Sequence, residues 1–334
     1  MKWPKTTITI DKKESPAIAP QVISASRSTD IPAFYANWFI KRLKAGYIKW
    51  INPFNQRPQY ISLTKVKAVV FWTKNPLPLI PYLTELDRRK ISYYFQFTLN
   101  DYEKEKYEPR VPKLEDRINA FITLSKRIGK ERVIWRFDPL LLTEEISIDK
   151  LLQRIKNVGD ALRSYTSKLV FSFVDISSYS KVKRNLKHAN VKYTEFDPRT
   201  MKQVGVKLAN LSKQWNLVIC TCGEKIDLSE YGIKHNKCVD DELLLRISNN
   251  DQELSDLFGR KKYFQKEMFD TPENIRKSIK DPGQREECGC VFSKDIGQYN
   301  TCPHLCVYCY ANTSEKTVRK NMEKLTPNGD SIVS

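Results

Sequence analysis

The 334-residue chain has no cysteine before position 220, no apolar run long enough to span a bilayer, and no phosphate-gripping glycine loop. A membrane helix needs about 20 consecutive apolar residues, so no membrane contact is expected. The start, Met1-Lys2-Trp3-Pro4-Lys5, lacks the apolar stretch of a secretory signal, and the expected compartment is the cytoplasm. No GxGxxG or Walker-type loop follows the first strand-like run, which argues against a nucleotide-binding open sheet. Internal repeats and low-complexity tracts are also missing.

What is present begins with charge. Lys and Arg number 57 against 39 Asp and Glu, a formal +18. Such a surface favours anionic partners: nucleic acid, nucleotides or phosphorylated metabolites. The basic residues are spread along the chain without a dense run, so a plain solubility bias is the competing reading. All eight cysteines, Cys220, Cys222, Cys238, Cys288, Cys290, Cys302, Cys306 and Cys309, fall after position 219. An even count fits disulfides, but those belong to small secreted chains with little core. This chain is long enough to bury a sizeable core, so metal or redox chemistry is the better reading.

Residues 1–20 are polar and lack clear periodicity, and are expected to be a loose segment. Strand-length runs rich in Val, Ile, Phe, Tyr or Trp follow at Gln21–Ser26, Val66–Trp72, Ser92–Leu99, Arg132–Phe137, Lys168–Asp175 and Asn216–Thr221. Helical spacing fills the gaps, at Pro32–Ala45, Leu79–Arg89, Leu114–Ile128, Ile148–Leu162 and Thr200–Gln214. Strands alternating with helices predict an α/β fold with a parallel sheet. The reading is a full or partial (β/α) barrel over 21–227, with a cysteine-rich extension over 228–334 that wraps back to the barrel mouth.

Polar residues gather at the strand ends: Ser26 to Asp30, Trp72 to Pro76, Gln96 to Thr98, Trp135 to Pro139, Ser172 to Asp175, and Cys222-Gly223-Glu224. Ligand sites of α/β folds collect there. Arg27, Lys74 and Arg136, with Asp138, are placed to position an anion, Arg through its planar fork. The competing readings are helix caps for Asp30 and Asp138 and an ion-pair network for the rest. Tyr94, Trp72 and Trp135 are candidates for stacking on a base, although strand aromatics usually pack in cores.

Cys302, Cys306 and Cys309 form C-x3-C-x2-C. Three thiolates this close can surround one metal centre, and soft sulfur selects iron–sulfur clusters or zinc. Three ligands leave one position of a [4Fe–4S] cluster open to a substrate or cofactor. Tyr308, before the last cysteine, is placed to shield the centre. Cys222, Cys238, Cys288 and Cys290 make a second set, suited to an auxiliary cluster or closed zinc site. Cys220, inside a strand pattern, reads as inert. His304 is open to ligation or a local hydrogen bond, His235 likewise, and His188 is expected to be solvated.

The C-x3-C-x2-C spacing with its aromatic residue resembles the radical S-adenosylmethionine superfamily. The resemblance implies a full or partial (β/α) barrel and a [4Fe–4S] cluster on Cys302, Cys306 and Cys309. It also implies S-adenosylmethionine on the open iron and an electron donor as partner. Glu224, in Cys222-Gly223-Glu224, resembles the glutamate that closes the superfamily's glycine-rich strand-end motif. The usual place of the cysteine motif is after the first strand; here a permutation, or an extension laid over the barrel, accounts for its late position.

A wider match runs from about residue 21 to about 312. Ser24-Ala-Ser-Arg-Ser-Thr-Asp-Ile-Pro-Ala-Phe-Tyr35, Phe71-Trp-Thr-Lys-Asn-Pro76, Tyr94-Phe-Gln-Phe-Thr98, Val133-Ile-Trp-Arg-Phe-Asp-Pro139, Cys288-Gly-Cys290 and Tyr299 to Ala311 resemble the domain of unknown function 1848 family. That family implies the C-terminal cluster and no substrate. The expected function is therefore a radical S-adenosylmethionine-like enzyme acting on an anionic substrate, nucleic acid among the candidates. A zinc-stabilised nucleic-acid-binding protein and a non-catalytic iron–sulfur electron carrier are the alternatives.

Overall fold

The computed structural model describes residues 3–260, 279–326 and 328–333. It begins with a hairpin of β1 (Lys5–Ile10) and β2 (Lys13–Ile18), paired along their whole length. The expectation of a loose segment over 1–20 is thus corrected from Lys5 onward. Thr6, Ile8 and Ile10 are the half-buried face of β1, alternating with exposed residues. Asp11 and Lys12 both take positive φ, 46° and 67°, as a two-residue type I′ turn requires. An Asp-Lys turn lacks the glycine that usually marks such a hairpin. With β4 (Tyr47–Ile51) and β5 (Pro58–Ser62), the hairpin makes a sheet ordered β1-β2-β5-β4.

All six strand-like runs are strands: β3 (Val22–Ala25), β6 (Ala68–Thr73), β7 (Ser92–Thr98), β8 (Val133–Leu140), β10 (Lys168–Phe173) and β12 (Val218–Thr221). Short strands β9 (Leu142–Thr143) and β11 (Tyr193–Thr194) pair apart from them. The six lie parallel in chain order, and the sheet reads β13-β12-β10-β8-β7-β6-β3-β14. Its edges, β13 (Lys234–His235) and β14 (Lys294–Asp295), both come from the extension. The fold is a mixed α/β architecture with an eight-stranded parallel sheet. No pairing closes it into a barrel among the described residues. From β3 to β13 the strands of this sheet are added in one direction, unlike those of a doubly wound sheet.

The helices are α1 (Ile31–Phe34), α2 (Ala36–Ala45), α3 (Leu83–Arg88), α4 (Leu114–Ile128), α5 (Ile148–Leu162), α6 (Ser180–His188), α7 (Pro198–Trp215), α8 (Asp241–Ile247), α9 (Gln252–Leu257) and α10 (Glu315–Glu323). The expected helix 32–45 is broken at Tyr35. Strand alternation sends Phe71, Phe95, Phe97, Trp135, Phe137 and Phe171 into the larger core. Their neighbours Val70, Tyr94, Ile134 and Val170 face the other way and meet Val239, Leu243, Leu244 and Val291 of the extension. The extension therefore covers one sheet face as well as both edges. No helix among the described residues is long and apolar enough to cross a membrane.

Gly159 of α5 marks a close helix–helix approach. Ala normally stabilises a helix interior over Gly by up to about 1 kcal/mol. Here an added Cβ would lie 2.3 Å from two ring carbons of Trp215, whose indole N–H is fixed on Asp160 at 2.8 Å. Gly159→Ala should therefore cost about 1–3 kcal/mol, read by urea denaturation. A gain in stability would contradict this packing.

Candidate functional site

A cavity of about 550 Å³ opens at the C-terminal ends of the parallel strands. All six polar strand-end segments named from the sequence contribute to its wall, and so do seven of the eight cysteines, all but Cys220. The structure thus brings both cysteine sets to one chamber.

The motif loop is held by its own chain. The Asn300 N–H donates to the Ala311 carbonyl at 3.1 Å, and Asn312 Nδ2 to the Cys302 carbonyl at 2.7 Å. Asn185 of α6 donates to the Cys309 carbonyl at 2.9 Å. His304 is buried and pinned at Nε2 to Asp30 at 2.9 Å, which gives it a local role. Asp30 caps α1 through the Ala33 N–H and also accepts from Thr73 and the Lys74 N–H. One carboxylate thereby ties the β3 end, the β6 end and the motif together. Burial pushes the Cys302 thiol up to about 12, helped by Asp30, and raises Cys306 and Cys309. The three influence one another electrostatically as thiolates, so a bound cation is what would hold all three deprotonated.

Behind them lies a buried charge cluster. Glu108 accepts from Lys74 at 2.6 Å and Arg117 at 3.3 Å, and also from the Tyr308 hydroxyl. Two cations share one carboxylate here. Burial alone would raise the Glu108 pKa, but Lys74 and Arg117 outweigh it and hold the group below its ordinary range. Burial works against the Lys74 charge, which Glu108 and then Cys306 sustain. Lys74 also lies over the Tyr308 ring, 5.6 Å from its centre.

The second set meets the chamber from other segments. Cys222 Sγ and Cys238 Sγ are 3.3 Å apart, and Cys290 Sγ accepts the N–H of Val239, the residue after Cys238, at 3.3 Å. Arg136 donates to Cys238 Sγ at 2.9 Å while forking onto Asp138, which also accepts from Ser172. Among the described residues, no three His, Cys, Asp or Glu side chains are already gathered about a single-ion position.

Of the residues expected to bind an anion, all four line the cavity. Lys74 and Arg136 are engaged by Glu108 and Asp138. Glu224 accepts the Phe173 N–H at 2.8 Å, and burial followed by the Asp138 charge pushes its pKa up to about 7. Arg27 stacks on Trp72 at 5.0 Å, has a loose ion pair to Asp281 at 3.9 Å, and its buried Nη2 has no hydrogen-bond partner among the described residues. Trp72 lines the chamber, whereas Trp135 is in the opposite core and Tyr94 is buried with its hydroxyl on the Cys238 carbonyl. His188 and His235 are exposed. Sequence reasoning missed Glu108 and Arg117, which lie in a loop and a helix without any motif around them.

The family model described as Domain of unknown function (DUF1848) matches residues 22–311. No curated protein matches the chain. A solved structure of a candidate alpha-L-fucosidase from Bacteroides thetaiotaomicron VPI-5482 aligns at 10% identity and TM-score 0.26, over 72% of this chain and 94% of that one. At that TM-score the likeness carries no argument about fold or chemistry.

Two tests probe the support beneath the motif. Glu108→Gln removes the carboxylate bonded to both cations and should cost about 3–5 kcal/mol in chemical denaturation; a loss under about 1 kcal/mol would mean that the cluster is hydrated. The loop carrying Glu108 is pinned by Arg154, which forks onto Glu105 at 2.8 and 2.7 Å. Burial raises Glu105, but Arg154 outweighs it, so its folded pKa lies below the ordinary 4.5. That contribution is present above the unfolded value and is lost as pH falls through the folded one. Glu105→Gln should flatten the acid limb of a stability profile as pH falls below the ordinary carboxylate value.

Proposed function

The chain belongs to the domain of unknown function family DUF1848, and within that family we propose an iron–sulfur enzyme of the radical S-adenosylmethionine type. Cys302, Cys306 and Cys309 would hold one [4Fe–4S] cluster with its remaining iron open to S-adenosylmethionine. The observation that carries the reading is the placement of all three motif thiols on the wall of a strand-end cavity. The donor set fits the group: three soft sulfurs, with the ammonium of Lys74 facing Cys306. When bound, the cluster would supply the one-electron reduction that cleaves S-adenosylmethionine.

The chain's own residues then bind, orient and shield. Lys74, sustained against burial by Glu108, offsets negative charge gathered on the motif sulfurs. Tyr308 is 8% exposed and hydrogen-bonded to Glu108 and Lys74, so it closes the floor against water. Asp30 fixes His304 and the turn after β3 in one arrangement. Arg27, with its open nitrogen and its face on Trp72, is the group that would grip a carboxylate or phosphate. The substrate is anionic on this reading, nucleic acid among the candidates, and an electron donor is required. A reducing compartment, the cytoplasm, suits eight free cysteines.

Purification without oxygen should give a brown protein carrying at least about four irons and four sulfides per chain. With dithionite and S-adenosylmethionine it should release 5′-deoxyadenosine, and Cys302→Ala, Cys306→Ala or Cys309→Ala should each abolish that release. A colourless protein with stoichiometric zinc would sink the reading.

A further inference from the structure

We infer that Cys222, Cys238, Cys288 and Cys290 form a second metal centre, a closed four-thiolate site separate from the motif cysteines. The four arrive from three separate places: the end of β12, the turn before α8, and the Cys288-Gly289-Cys290 hairpin of the extension. The Cys222 and Cys238 sulfurs are 3.3 Å apart, Cys290 Sγ accepts the N–H of Val239, next to Cys238, and Cys288 is two residues from Cys290. Tetrahedral zinc–thiolate bonds of about 2.3 Å imply sulfurs about 3.8 Å apart, so the Cys222–Cys238 pair is already near that spacing.

The surroundings are built for anionic sulfur. Cys238 Sγ accepts from Arg136 Nη1 at 2.9 Å and from Asn236 Nδ2 at 3.3 Å, and Cys290 Sγ accepts from the Val239 N–H at 3.3 Å. A neutral thiol is a weak acceptor, whereas a metal-bound thiolate gains from such outer donors. The guanidinium of Arg27, with its unpartnered Nη2, is attracted to Cys290 and Cys238 as thiolates.

The backbone is fixed to match. The Cys238 carbonyl accepts from Tyr94 at 2.7 Å and from Gln96 at 2.9 Å. The Val291 N–H donates to the Val239 carbonyl at 3.0 Å. A Cβ on Gly289 would lie 3.0 Å from Lys237 Cγ, so a glycine allows the hairpin to approach. Inert buried cysteines need none of this. Loading draws the four sulfurs round the centre, and each ligating thiol gives up its proton. With no position left open, the centre clamps the extension to the sheet.

The test uses the full chain carrying C302A, C306A and C309A, prepared anaerobically. Separate arms receive ferrous iron with sulfide, or zinc alone. We expect one centre per chain, about four irons with four sulfides or about one zinc, lost on adding C238A and C290A and kept on adding C220A. Circular dichroism checks that each variant is folded. If the triple variant does not fold, the wild-type protein decides: mass spectrometry should find Cys222, Cys238, Cys288 and Cys290 protected from alkylation until a chelator is added. The inference is overturned if folded triple variant binds metal in neither arm, if metal survives C238A with C290A, or if Cys222 and Cys238 are isolated as a disulfide without metal. Absence of the motif-bound cluster from wild type, with this centre retained, would sink the proposed function and leave this inference standing.

Discussion

Parallel pairing puts the C-terminal ends of β3, β6, β7, β8, β10 and β12 on one side of the sheet, and the chamber depends on that constraint. Each strand hands its last polar residues to the same rim. Period-two alternation then divides the strands' side chains between two cores. On the face away from the larger core, the apolar residues meet the extension. Gln96 and Arg136, in the same strands, touch Cys238 instead.

The chamber is densely charged, yet most of its charges are already satisfied. Lys74 and Arg117 converge on Glu108, and Arg136 forks onto Asp138. In a low-dielectric wall an unpaired charge costs far more than it does at the surface, so such pairs fix geometry before any ligand arrives. Arg27 departs from the pattern: its ion pair is long and one nitrogen has no partner among the described residues. A ring face under the guanidinium holds its plane in place without using its hydrogen bonds.

The parallel sheet was legible because each strand is an apolar run bounded by turn chemistry, and Leu114–Ile128 and Ile148–Leu162 carry clean helical spacing. The β1–β2 hairpin was not, since Thr in place of apolar residues and an Asp-Lys turn mute both signals. The motif cysteines were visible as spacing, and the strand-end residues as position. Glu108 could not be found that way: its meaning comes from Lys74 and Arg117, which meet it only when the chain is folded and carry no motif that marks the meeting. For the same reason the sequence left anion binding and an ion-pair network both open for Lys74 and Arg136, which prove to be paired. Trp135 shows the limit of type alone, because strand parity sends it to the helix side.

The extension supplies β13, β14 and the cover over Val70, Tyr94, Ile134 and Val170, which has a consequence for biosynthesis. A ribosome finishes β12 roughly eighty residues before it reaches Cys302, an interval of about 4–16 s at 5–20 residues per second. β13 and the covering residues Val239, Leu243 and Leu244 come early in that interval, but the β3 edge stays bare until β14 is made, the condition in which strands recruit unwanted partners. Protection of that edge and the motif cysteines therefore come from the same late stretch of polypeptide, and a chain stalled before it would lack the motif and be adhesive.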